Sequence, residues 1–216
     1  MPWQLNGTTL SDENGTQYTV LPHEFWYVVP ARTAYSADEG KRVRPLEFAF
    51  VLHNASIAEG LLISPTSMTG GPKFRPTKGG AAGEAENLLE AIRQEKYHDK
   101  PSRFNSYFLN STRELAEHRA RDFLRGDKLI VRCLIIMNGA RVHFADIDLY
   151  ERLEGRPDDR ELATRYWTNF IAKTEDEYRR QEILAESALY FPDWLTFPKL
   201  PLEDLRQWSK HNLPSK

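Results

Sequence analysis

Short apolar runs separated by segments of helical spacing organise most of this chain. The runs at 25–29 and 129–137 have the length and the branched or aromatic content of strands. Between 85 and 92 the apolar positions instead share one face of a helix. Because strands and helices do not alternate regularly, the pattern predicts an α+β fold with an antiparallel sheet, and not a doubly wound parallel one.

Turn signals divide these runs. Asn6-Gly7 and Asn14-Gly15 favour tight hairpin turns near the start of the chain. Asn138-Gly139 joins the run 129–137 to a second apolar run at 141–144 and is the strongest hairpin signal present. We therefore expect these two strands to pair with each other.

Helix starts are marked by side chains that can satisfy free backbone amides. The stretch 111–114 reads Ser-Thr-Arg-Glu, which predicts a capping box with Ser111 as the cap, and 174–177 is a second candidate. The remaining predicted elements are strands at 46–52, 104–109 and 182–191 and helices at about 159–171 and from 201.

The segment from about 64 to 84 contains five glycines and three prolines. This composition predicts a flexible loop, and unstructured loops of such length are often functional. A disordered insertion without a function is the alternative. No linker separates two self-sufficient halves, so the 216 residues are expected to form a single domain, 1–216.

Composition narrows the functional classes. Hydrophobic residues make up 40% of the chain, charged residues 28%, and the formal net charge is −2. A core of ordinary size is expected, and a free-standing polyanion binder would be more basic. Neither a signal peptide nor a membrane-spanning stretch is predicted, which favours the cytoplasm, although a toxin exported by a dedicated machine would have the same features.

Common catalytic motifs are missing from the sequence. It has no P-loop, dinucleotide-binding glycine motif, zincin motif or nucleophile elbow. The single cysteine, Cys133, lies in an apolar run and is expected to be a buried thiol. The six histidines lack metal-ligand spacing, so no metal site is predicted.

Three short motifs resemble those of the ADP-ribosyltransferase superfamily. The stretch 179–184, Arg-Arg-Gln-Glu-Ile-Leu, resembles the third motif of its DNA-targeting toxin branch. The stretch 103–107, Arg-Phe-Asn-Ser-Tyr, resembles the second motif of uncharacterised bacterial families with this fold, and 25–30 is similar to their first. The match spans about 25–195. It implies a split antiparallel sheet with surrounding helices and NAD as co-substrate.

Glu182 is the residue on which the implied chemistry depends. Cleavage of the nicotinamide–ribose bond produces an oxocarbenium-like cation, which a fixed carboxylate in a water-poor cleft stabilises. Glu186 is the rival carboxylate, because it shares a face with Glu182 in an ideal strand. The alternative is a solvated Glu182 at a strand end, paired with Arg179 or Arg180.

The other roles also follow from the resemblance. It implies catalytic roles for Ser106 and Tyr27 beside Glu182, and we expect these three residues to converge on one cleft. His53 is an alternative to Tyr27, which stands where histidine is commonest in the family. Cofactor contacts are implied for Arg103 through the pyrophosphate, and for Asn105, Tyr107, Tyr27 and His53.

A macromolecular acceptor, either nucleic acid or protein, completes the implied reaction. The resemblance suggests a bacterial or phage-defence toxin with a possible antitoxin. Two groups of basic residues could attract a phosphate backbone, although a solvated face is the plainer interpretation: Lys73, Arg75 and Lys78, and His118, Arg119, Arg121 and Arg125. A non-catalytic binding domain that keeps the fold remains a second hypothesis, as does an unrelated nucleic-acid-binding protein.

Overall fold

The computed structural model describes residues 3–30, 59–62, 80–123 and 128–197. Within these ranges the helices are α1 (Ala81–Lys96), α2 (Arg113–Phe123), α3 (Ile147–Glu154), α4 (Arg160–Tyr166) and α5 (Glu175–Arg180). The strands in the same ranges are β1 (Gln4–Asn6), β2 (Thr9–Ser11), β3 (Gln17–Thr19), β4 (Phe25–Pro30), β5 (Leu61–Leu62), β6 (Tyr107–Asn110), β7 (Lys128–Ile135), β8 (Arg141–Asp146), β9 (Gln181–Glu186) and β10 (Leu189–Tyr190).

The described strands form two sheets. Strands β1, β2 and β3 make a small sheet, and its turns carry Gly7 and Gly15 at positive φ, as both Asn-Gly signals predict. The other seven are ordered β5-β10-β7-β4-β6-β9-β8, and each pairing is antiparallel. The predicted α+β class with an antiparallel sheet is confirmed.

The hairpin predicted at Asn138-Gly139 is wrong. A turn does form, with Gly139 at φ 73° and the Ala140 amide donating to the Met137 carbonyl. However, β7 and β8 are separated in the sheet by β4, β6 and β9. Directly after β7, Ile136 forms an isolated antiparallel bridge with Val20, the residue that follows β3. The turn therefore passes the chain from the middle of the sheet to its edge.

Several predicted element boundaries also differ from the observed ones. The strand predicted at 182–191 is two strands, since Ser187 and Ala188 lie between β9 and β10. The predicted helix at about 159–171 ends at Tyr166. The α2 cap is Thr112, whose Oγ1 accepts from the Leu115 amide, and not Ser111. The capping box at 174–177 is confirmed.

Each face of the large sheet is covered by its own core. One face carries the odd-numbered residues of β4, β6, β7 and β9, including Tyr27, Tyr107 and the buried Cys133. The even-numbered residues of β6 and β9, such as Leu184, pack against α1, α3 and α4. Helix α2 contacts β4, β6 and β7. The acidic and basic side chains of interest lie on this second, helix-covered face.

In the described part of the chain no helix is long and apolar enough to cross a membrane. The predicted elements at 46–52 and from 201, and most of the loop at about 64–84, lie outside the described residues.

Candidate functional site

Arg103 is the centre of a buried polar cluster. It lies on a single 3₁₀ turn, Arg103–Asn105, which begins where the Ser102 hydroxyl accepts from the Phe104 amide. This turn lies just before β6 and directs the Arg103 side chain beneath the helices. Only 4% of Arg103 is exposed to solvent, so its charge must be matched by partners within the protein.

Two carboxylates from distant elements supply those partners. Glu86 of α1 accepts from Arg103 Nε at 2.8 Å and from Nη2 at 3.2 Å, which is a bidentate pairing. Glu182 of β9 accepts from Arg103 Nη1 through Oε2. The guanidinium also lies over the rings of Tyr150, at 4.3 Å, and Phe108, at 4.8 Å. The predicted role of Arg103 as a pyrophosphate ligand does not fit this enclosure.

Tyr166 completes the arrangement around Glu182. Its hydroxyl donates to Glu182 Oε2 at 2.6 Å and accepts from Arg103 Nη1. Burial raises the pKa of Tyr166 well above its ordinary value, so this phenol keeps the proton that it donates. Burial alone would lower the pKa of Arg103, but Glu182 and Glu86 hold it well above the ordinary range. Glu182 therefore has a fixed position and a fixed cationic neighbour.

A second arginine approaches the same carboxylate from α2. Arg119 is half-buried and donates from Nη2 to the Gln181 carbonyl at 2.6 Å. Burial lowers its pKa, while the charge of Glu182 acts in the opposite direction. With both arginines counted, the two cations balance the charges of Glu86 and Glu182. Arg119 is thus part of the cluster and not of a solvated basic face.

The alternative of a solvated Glu182 paired with Arg179 or Arg180 is wrong. Arg179 pairs with Glu175, and Arg180 pairs with Asp146 and Asp148. Glu182 itself is 4% exposed and is no solvated strand-end residue. Its cation comes from 79 positions earlier in the chain.

Glu186 lies on the same face of β9, as the strand period predicts, but in a different environment. Its Oε2 accepts from the Ser102 amide at 3.0 Å and its Oε1 from Arg141 Nη2 at 2.6 Å. The Arg141 side chain is 41% exposed. Glu186 is therefore a partly solvated ion-pair partner that fastens β9 to the segment before β6.

Ser106 shares the sheet face with Glu182 but not its position along the strands. The β6–β9 register places Ser106 opposite Glu186, four residues from the level of Glu182. Four residues correspond to about 13 Å of strand. The Ser106 hydroxyl donates to the Ser102 carbonyl at 2.6 Å, which stabilises the turn that carries Arg103 and Asn105.

Tyr27 and Tyr107 lie on the opposite face. Tyr27 pairs with Leu109, and Leu109 pairs with Ile183, so these three side chains point to the same side of the sheet. Glu182 precedes Ile183 and therefore points to the other side. The two tyrosines contact each other edge to face at 5.5 Å between ring centroids. The prediction that Tyr27, Ser106 and Glu182 converge on one cleft is thus wrong, and His53 lies outside the described residues.

A different row of residues does lie level with Glu182. Trp26 pairs with Asn110, and the β6–β9 register places Asn110 next to Glu182 on the same face. These three side chains come from three adjacent strands, β4, β6 and β9. Sequence reasoning chose Tyr27 instead of Trp26 because nothing in an unbroken aromatic run fixes which face each ring takes.

His143 lies at the edge of the cluster and carries a pH-dependent prediction. The ring is fully buried, contacts Tyr166 and Trp167, and has Nε2 3.0 Å from the Tyr166 carbonyl oxygen. Its Nδ1 has no hydrogen-bond partner among the described residues. Burial lowers the pKa of His143, because a charged ring would be poorly solvated there.

We expect the free energy of unfolding to fall as the pH drops below about 6.5, the ordinary value for an unfolded histidine. Between that value and the lower folded pKa, the unfolded chain binds a proton that the folded chain does not, so acid favours unfolding. His143 contributes at most about 1.4 kcal/mol per pH unit to this dependence of unfolding free energy on pH. Urea unfolding between pH 7.5 and 5.5 measures the slope. His143→Gln should flatten the slope, whereas His98→Gln, at an exposed position, should leave it unchanged. Equal slopes in all three proteins would contradict the assignment.

Metal chemistry has no evident site here. Among the described ranges, no group of three or more histidine, cysteine or carboxylate residues is arranged to hold a metal ion. Burial raises the pKa of the Cys133 thiol far above its ordinary value, which makes it a poor nucleophile.

Comparison with protein-family models and with curated proteins finds no match to this chain.

Proposed function

We propose that this chain is an NAD-dependent ADP-ribosyltransferase in which Glu182 is the carboxylate that stabilises the reacting ribosyl group. One observation carries the proposal. The three motif-like stretches lie on or lead directly into β4, β6 and β9, which are adjacent in one sheet, and Glu182 is held there by Arg103 and Tyr166.

The proposed reaction breaks the bond between the ribose anomeric carbon and the nicotinamide nitrogen. Nicotinamide leaves with the bonding electron pair, and positive charge develops on the ribose. A carboxylate whose position is already fixed stabilises that charge without reorganising. A nucleophilic atom of the acceptor then bonds to the anomeric carbon and loses its proton.

Arg103 and Tyr166 are positioning residues in this proposal. Both of their hydrogen bonds to the carboxylate go to Oε2. They hold Oε2 in place, and in this proposal Oε1 accepts from a ribose hydroxyl. The acceptor is a nucleic acid or a protein, and the proposed setting is a cytoplasmic toxin of bacterial or phage-defence type, with an antitoxin as a possible partner.

A second candidate is a non-catalytic binding domain. The observation that favours it is the low exposure of Glu182 together with its pairing to Arg103, since a carboxylate of this kind also occurs as a purely structural group. The position of Tyr27 on the opposite face of the sheet from Glu182 favours it as well.

Incubation of the purified chain with NAD labelled in the ADP-ribose half, in the presence of a cell lysate, separates the two candidates. A transferase should place label in protein, DNA or RNA, and nuclease or protease treatment then identifies the acceptor class. If a folded wild-type chain transfers no label to any fraction and releases no nicotinamide, the non-catalytic candidate replaces the enzyme.

A further inference from the structure

Two adjacent residues at the end of β6 carry buried oxygen atoms without partners. Asn110 Oδ1 and Ser111 Oγ have no hydrogen-bond partner among the described residues. A buried acceptor that lacks a donor costs free energy relative to the same acceptor in water. Such groups call for a specific explanation, either an ordered water or a ligand that supplies the donor.

The orientation of the Asn110 amide is fixed by its other contact. Its Nδ2 donates to the Trp26 carbonyl oxygen at 3.1 Å. A carbonyl oxygen can only accept, so the atom facing Trp26 must be the nitrogen, and the unpartnered atom must be the oxygen. Asn110 is 4% exposed, so bulk solvent does not satisfy this oxygen.

The position of Asn110 relates it to the proposed chemistry. The β6–β9 register places it directly beside Glu182. Side chains directly opposite on antiparallel strands have Cβ atoms about 5 Å apart. Asn110 and Glu182 are therefore cross-strand neighbours, and Ser111 directly follows Asn110 in the chain. A buried amide oxygen without a donor, on the residue next to Glu182, suits a ligand rich in hydroxyl or amide donors.

We infer that Asn110 is a substrate-binding residue whose Oδ1 accepts a hydrogen bond from the nicotinamide-riboside half of NAD. This inference rests on the proposed function, because it assigns NAD to the same site. In this assignment the residue of the β6 region that contacts NAD is Asn110, which lies level with Glu182, and not Ser106. The donor is either a ribose hydroxyl or the carboxamide N–H.

Calorimetric titration of NAD into wild-type, Asn110→Ala and Asn169→Ala proteins tests the inference. Asn110→Ala should weaken NAD binding about tenfold, as expected for one lost hydrogen bond in a buried site. Asn169 is an exposed asparagine whose side chain bonds Lys100, and its variant should bind like wild type. If Asn110→Ala does not fold, Asn110→Ser takes its place, since its shorter hydroxyl cannot reach as far and the same loss is expected.

The dinucleotide with nicotinic acid in place of nicotinamide identifies the donor. If the carboxamide is the donor, wild type and the Asn110 variant should bind this analogue equally, because the analogue lacks that N–H group. If a ribose hydroxyl is the donor, the analogue should show the same tenfold difference. Equal NAD affinities of wild type and a folded Asn110 variant overturn the inference and leave the proposed function standing. A wild-type chain that does not bind NAD overturns both.

Discussion

Arg103→Met is expected to lower the free energy of unfolding by about 3–5 kcal/mol, the cost of removing one partner from a buried ion pair. Methionine replaces most of the aliphatic stem of the side chain but leaves Glu86 and Glu182 buried without the guanidinium between them. Domains are stable by only about 5–15 kcal/mol, so the loss is a large part of the total. Urea unfolding followed by tryptophan fluorescence measures it.

Arg141→Met is the matched control for this prediction. Arg141 also pairs with a carboxylate on the same face of β9, Glu186, but its side chain is 41% exposed. Because Arg141 is partly solvated and Glu186 keeps its hydrogen bond from the Ser102 amide, the control should lose clearly less stability than Arg103→Met. Equal losses of unfolding free energy in the two variants would show that the buried cluster stabilises the protein no more than the Arg141–Glu186 pair does.

A double variant tests the cause of the loss. Arg103→Met leaves Arg119 as the remaining cation of the cluster against two carboxylates. Adding Glu86→Gln removes the excess negative charge, so the double variant should be more stable than Arg103→Met alone. A double variant whose loss is the sum of the two single losses, or greater, would mean that lost packing and not unpaired charge destabilises the protein.

The fold class can be predicted from the sequence, but the order of the strands cannot. Local signals are sufficient for the α+β class, for the Asn6-Gly7 and Asn14-Gly15 turns and for the capping box at 174–177. The Asn138-Gly139 turn forms as its residues demand, yet the strands on either side do not pair. Turn chemistry fixes only the local reversal of the chain. The neighbours of β7 and β8 are chosen by apolar faces distributed over the whole chain.

The candidate site, too, could be predicted from the sequence only in part. The position of Glu182 at the start of a late strand is readable from the sequence, but its partners Arg103 and Tyr166 come from a 3₁₀ turn and a helix. The second carboxylate on Arg103, Glu86, comes from another helix. No local rule joins residues so far apart. A signal did exist at Asn110, since a polar side chain ends an otherwise apolar strand, but it gains meaning only once the register places it beside Glu182.

The second large effect is expected on the transfer rate of Glu182→Gln. Glu182→Gln should reduce transfer per folded molecule by a factor of about 10²–10³, or roughly 3–4 kcal/mol, because it removes the negative charge that faces the developing cation. The glutamine keeps an oxygen that can accept from Arg103 and Tyr166, and Arg103 keeps its bidentate pairing with Glu86. The stability loss should therefore be smaller than for Arg103→Met, about 1–3 kcal/mol.

Because Glu182 is buried, the rate has to be divided by the folded fraction, measured at the assay temperature by circular dichroism. A Glu182 that is only structural would lower the folded fraction and leave the rate per folded molecule unchanged. Glu186→Gln is the matched control, with the same substitution on the same face of β9. It should retain the wild-type rate per folded molecule, because Glu186 accepts from the Ser102 amide and Arg141, whereas the Glu182 carboxylate accepts from Arg103 and Tyr166. An inactive Glu186→Gln beside a fully active Glu182→Gln would assign the reaction to the other carboxylate and remove Arg103 and Tyr166 from their positioning role. Loss of activity in Glu182→Gln alone, at a high folded fraction, would identify the buried cluster as the catalytic centre.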